Sequence, residues 1–123
     1  MKNINKTLLV VLAVLGSLAV NAQQPKKVKL TQTPGEFEKT ELKLKAGKEY
    51  VFEIANDGID HEVGFVIAPK GKTEQANHIT EAYVQKTIAD GEKSVSNVVT
   101  LEAGEYVYFC PMNPTPLYTL VVE

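Results

Sequence analysis

Gly104-Glu105-Tyr106-Val107-Tyr108-Phe109-Cys110-Pro111-Met112 is the stretch on which the fold turns. Its residues alternate with period two, Tyr106 and Tyr108 on one face and Val107 and Phe109 on the other. That is the pattern of a half-buried β-strand. The strand runs onto Cys110, the only cysteine among 123 residues. Met112 lies two positions further on, and His61 falls on another strand-like segment. One imidazole and two sulfurs make a soft donor set for a transition metal.

The same alternation recurs outward from this strand. Lys27–Thr33 places Val28 and Leu30 together and is stopped by Pro34-Gly35; Glu41–Lys45 turns Leu42 and Leu44 inward; Tyr50–Ala55 aligns Tyr50, Phe52 and Ile54. Asn56-Asp57-Gly58 is a turn signal, followed by His61-Glu62 and by Val63–Ile67, apolar on both faces as an internal strand is. Ser94–Leu101 and Tyr118–Val122 are further strands. Thr73–Ala89 differs: Ile79, Ala82, Tyr83 and Lys86 fall at helical spacing and Gly91 closes the segment, which predicts one short helix inserted between strands. Pro111, Pro114 and Pro116 keep the following loop out of regular structure. Six or seven short strands at such spacing predict an all-β fold, a Greek-key antiparallel β-sandwich with one short helical insert.

The sandwich does not start at residue 1. Lys2 and Lys6 precede an apolar run from Leu8 to Val20, and Val20-Asn21-Ala22 offers the small residues that a signal peptidase reads. Residues 1–22 are therefore expected to be a signal peptide and residues 23–123 the folded domain, periplasmic or secreted, with no membrane attachment after cleavage. From residue 23 on there are eleven lysines against fifteen acids, a net charge of −4, and no arginine. This balance excludes nucleic acid as a partner and removes the bidentate fork that grips phosphates. One cysteine cannot staple an exported domain internally, so the thiol is free, metal-bound or paired between molecules. No Ser-His-Asp order, paired-carboxylate motif or phosphate-binding glycine loop is present, and the chain reads as a non-enzyme.

Leu42-Lys43-Leu44-Lys45-Ala46-Gly47, Asn56 to His61-Glu62, and Leu101 through Cys110 together resemble the cupredoxins, the family of plastocyanin and azurin. The resemblance covers most of the chain after the leader. It implies that His61 is one copper ligand, Cys110 the thiolate ligand, and Met112 a candidate third. It implies a further histidine a few residues after the cysteine, where this chain reads Pro111-Met112-Asn113-Pro114-Thr115-Pro116. The implied ligand set is thus incomplete, and an open position falls to water, to His78 or to a partner. Asn56 and Asn113 either shape turns or hold the metal loops by hydrogen bonds. Asp57, Asp60 and Glu62 beside His61 read as a solvated acidic turn.

Three functions are compatible with these residues. The first is a monomeric copper protein that carries electrons through a degenerate type 1 site to a redox or copper-handling partner. The second is a metal-free binding module on a cupredoxin-like scaffold. The third is a chaperone that passes Cu(I) along.

Overall fold

The computed structural model describes residues 24–123. The expected leader lies outside the described residues. Nine strands form two packed sheets among the described residues: β1 (Lys26–Thr33), β2 (Glu36–Phe37), β3 (Glu41–Leu44), β4 (Glu49–Asn56), β5 (Val66–Pro69), β6 (Lys93–Val95), β7 (Val99–Thr100), β8 (Gly104–Phe109) and β9 (Tyr118–Val122). One sheet has the order β2-β1-β4-β6, with β7 also pairing β4; the other has the order β3-β9-β8-β5. The chain changes sheet at β2–β3, β3–β4, β4–β5, β5–β6 and β7–β8, which is the crossover habit of a Greek-key sandwich. The expected β-sandwich is present. Its ladders are antiparallel except for β1 with β4 and β3 with β9, which run parallel.

The two inner faces supply the core. Leu30, Phe52, Ile54, Ile67, Tyr108 and Leu120 are all buried, and each lies on the inward phase of its strand. Phe37 sits edge-on to Phe65, Tyr108 and Tyr118, with centroids 6.0, 5.4 and 5.7 Å away. Each such edge contact adds about 0.5–1.5 kcal/mol beyond the area it buries. This aromatic cluster fixes the direction in which β8 delivers Cys110. Tyr108 is locked at its far end, where its hydroxyl donates to the Lys39 carbonyl.

Besides β5, which begins at Val66 and not at Val63, two segments differ from the sequence expectation. Thr73–Ala89 forms two 3-10 turns, Gln75–Asn77 and Thr80–Ala82, in place of one helix. Its backbone is claimed by the sheets: Ile79 N–H donates to Ile67 O, Gln85 N–H to Val95 O, and Ile88 exchanges both bonds with Val63. The β-branched residues Ile79, Thr80, Val84, Thr87 and Ile88 favour that extended alternative. Ser94–Leu101 is two strands with a break. There the Ser96 hydroxyl accepts the Phe52 N–H at 2.9 Å and donates to the Asn97 carbonyl at 2.7 Å. A side chain that competes for the ladder in this way interrupts it.

Candidate functional site

β8 pairs with β9 up to Tyr108 and with β5 up to Phe109, opposite Val66, and the next residue is Cys110. Its side chain is buried. The thiol sulfur accepts two backbone N–H groups, from Gly64 at 3.4 Å and from Asn113 at 3.2 Å. Its own N–H donates to the Thr115 hydroxyl at 3.2 Å. The loop Pro111–Pro116 therefore folds back over the sulfur and is tied at both Asn113 and Thr115.

Asn113 is only 3 % exposed, and its side-chain amide is fully engaged. Oδ1 accepts the Gly35 N–H at 2.9 Å; Nδ2 donates to Gln32 Oε1 at 3.2 Å and to the Thr33 carbonyl at 3.1 Å. Gly35 can present that N–H because it turns the chain between β1 and β2 with φ of 77°, a conformation natural to glycine. Gln32 is wholly buried, and its Nε2 donates to the Gly64 carbonyl at 2.7 Å. Gln32 occupies the inward phase of β1 after Val28 and Leu30. A polar residue at an inward strand position is the signal by which it could have been found, and sequence reasoning passed over it.

The predicted donors are placed differently from one another. Met112 is 46 % exposed, and its Cε lies 4.0 Å from where a Cβ on Gly64 would sit. Gly64 is thus touched by Cys110 through its N–H and by Met112 over its bare Cα. His61 is exposed, with Nδ1 donating to the Glu62 carbonyl at 2.9 Å. Its loop is held by Asn56, whose Nδ2 reaches the carbonyls of Ile59, His61 and Ile88 at 3.1 Å each and whose Oδ1 accepts the Ile59 N–H at 3.0 Å. Asp57, Asp60 and Glu62 on that loop are exposed.

His78 is partly buried and has both nitrogens occupied. Nε2 is 2.9 Å from the Thr73 carbonyl and Nδ1 2.6 Å from the Tyr83 hydroxyl. A carbonyl only accepts, so Nε2 carries the proton and Nδ1 receives the tyrosine's. The ring stands edge-on to Phe109 at 6.0 Å. His78, Tyr83, Val84, Gly64, Pro111 and Met112 line one groove of about 420 Å³; neither Cys110 nor His61 lines it. Among the described residues, no three His, Cys, Asp or Glu side chains come together as a metal-holding group.

A family model described as a cupredoxin-like domain matches residues 6–122. Solved structures with a similar fold include auracyanin A, described as a "blue" copper protein from Chloroflexus aurantiacus. It is 20% identical, covers 81% of this chain and 100% of its own, and has a TM-score of 0.64. Auracyanin from Roseiflexus castenholzii is 14% identical over 82% of this chain and 99% of its own, with a TM-score of 0.64. Amicyanin from Paracoccus versutus is 17% identical over 83% of this chain and 86% of its own, with a TM-score of 0.53. No curated protein matches the chain.

Proposed function

The chain belongs to the cupredoxin-like family, and from that premise we propose an exported, non-enzymatic protein that serves electron transfer by docking, at the Cys110 end of its sandwich, a partner that itself holds the redox centre. It works there by contact with a redox or copper-handling partner. Residues 1–22 direct export and are removed, and residues 23–123 act in the periplasm or outside the cell. The mature acidic surface and the lack of arginine support a protein partner over nucleic acid.

The family implies copper, and the donors present can be tested against it. A type 1 centre asks for two imidazoles and a thiolate, with a weak sulfur beyond them. The sulfur of Cys110 fits: it is buried at the end of β8 and already accepts two backbone N–H groups. Met112, 46 % exposed on the rim of the groove, is the candidate for the weak sulfur. The imidazoles do not fit. His61 is exposed and hydrogen-bonded to its own loop, and His78 has both nitrogens engaged. Asn113 stands in the stretch where the resemblance implies the second histidine, and its amide is consumed by Gln32, Thr33 and Gly35. No buried side-chain nitrogen or oxygen among the described residues lacks a partner. The set does not make a self-contained type 1 site.

The observation that carries the proposal is this thiol, hydrogen-bonded and imidazole-poor, beside a groove whose rim exposes Met112. Titrating the purified protein with Cu(II) while recording the visible spectrum tests it. The expected result is no intense thiolate-to-copper absorption. A strong band that disappears in Cys110→Ala would overturn the proposal and make the chain a complete copper carrier on its own. Competition with a Cu(I) chelator separates a further case: Cu(I) held against the chelator, and released in Cys110→Ala, would assign Cu(I) delivery in place of partner docking.

A further inference from the structure

We infer that a closed circuit of hydrogen bonds ties the cysteine loop to the sheets in this chain, taking over the mechanical role that a metal ion would have there. The circuit can be walked atom by atom. Cys110 Sγ receives Gly64 N–H; the Gly64 carbonyl receives Gln32 Nε2; Gln32 Oε1 receives Asn113 Nδ2; and Asn113 N–H returns to Cys110 Sγ. It joins three distant parts of the chain, with Gln32 and Asn113 separated by 81 positions and Gln32 and Gly64 by 32. A metal bridging loops performs the same task, because it links residues remote in sequence through one point.

Both amide side chains are almost fully out of water, Gln32 at 0 % and Asn113 at 3 % exposure. A buried amide is costly unless every group is paired. Here the pairing is nearly complete: Asn113 uses both Nδ2 hydrogens and its oxygen, and Gln32 uses its oxygen and one hydrogen. Satisfied networks of this kind rigidify and specify one arrangement. Turning Asn113 toward an ion at Cys110 would break three of these bonds together. In this arrangement the loop is held by protein groups, and the sulfur serves it as an acceptor. The inference is independent of the partner-docking reading, since it concerns only what holds the loop.

Amide hydrogen exchange on the full protein is the test, run once in chelator and once with excess Cu(II) or Cu(I). The amides of Gly35, Gly64 and Asn113 are expected to be equally protected in all three, within about twofold. Free exchange in chelator with protection gained only on adding copper would overturn the inference. A thiolate band with unchanged protection in chelator would instead defeat the functional proposal and leave the circuit standing.

Two variants add a second readout. Asn113→Ala and Gln32→Leu are each expected to lower Tm by about 5–10 °C, taking a cost near 1–2 kcal/mol over a domain of this size. Because they cut one circuit, the double variant should fall by clearly less than the sum of the two. Simple additivity, or no shift in either single variant, would count against the circuit. If either variant fails to fold, exchange on the unaltered protein decides.

Discussion

The two loops that meet near Gly64 are each organised by one asparagine, and they make opposite use of it. Asn113 turns its amide away from its own loop and into the sandwich, reaching Gln32, Thr33 and Gly35 on and after β1. Asn56 turns its amide into the loop that follows it, gathering the backbone of Ile59 and His61 and reaching across to Ile88. The first loop is anchored from outside and covers a buried thiol. The second is wound around its own anchor and leaves His61 and three acids in solvent. In both, an amide side chain holds the backbone; the one histidine, His61 of the second loop, bonds only its neighbour's carbonyl. The difference teaches that loop geometry in this fold can be set by hydrogen-bond valence alone, with Cys110 drawn into the bonding as an acceptor and His61 left at the surface.

The sharpest way to break this comparison is Asn56→Ala. It strips four hydrogen bonds from a residue 2 % exposed and leaves the Ile59 N–H without its acceptor. A loss of about 2–4 kcal/mol is expected from urea unfolding. A loss below about 0.5 kcal/mol would mean that the loop holds itself.

An effect of a different origin follows from Tyr108, in the strand that delivers the thiol. Burial, with smaller contributions from Tyr118 and Glu41, pushes its phenol up to about 12. The folded protein therefore keeps a proton that the unfolded chain releases near pH 10. Its contribution to stability is complete below pH 10 and declines as pH rises from about 10 to 12. An alkaline unfolding series should show that decline, and Tyr108→Phe should flatten it. An undiminished decline in the variant would move its origin to another group, first to Tyr106 on the same strand, whose phenol burial also pushes up.

Cys110→Ser asks what the sulfur contributes as an acceptor. A hydroxyl can still receive the Gly64 and Asn113 amides, though from a shorter bond, while a small buried apolar group is lost. About 1–2 kcal/mol of destabilisation by chemical denaturation is expected, with the Asn113 amide still protected. Collapse of that protection would give the thiol a larger part than the amides.

The smallest effect belongs to His61→Ala. The ring is exposed and bonds only within its loop, so a change within about 0.5 kcal/mol is expected. A larger loss would restore a structural duty to the histidine and erase the contrast between the loops.

Much of the sandwich was legible because its strands state their period. Val28 and Leu30 on β1, Tyr50, Phe52 and Ile54 on β4, and Tyr118–Val122 on β9 all bury as their alternation requires. The strand expected from Val63 starts three residues later: β5 begins at Val66, because Val63 bridges to Ile88 and Gly64 is drawn to the thiol. The helical spacing of Ile79, Ala82 and Tyr83 was real but weaker than the bonds offered by neighbouring strands. At the site, the position of Cys110 at the end of β8 could be read from one line of sequence. The engagement of Gln32 with Asn113 could not, since it depends on the successive sheet crossovers that bring positions 81 residues apart together.

β9 lies between β3 and β8, at the centre of its sheet, and runs parallel to the former. It is also the strand synthesised after all the others described. Until it emerges, β3 has no ladder at all and β8 lacks one of its two neighbours, so half of the sandwich cannot close while the chain is being made. Non-local pairing of this kind delays the productive collapse. Completion of the domain thus waits on its last described strand, and the second sheet closes in one step when that strand arrives.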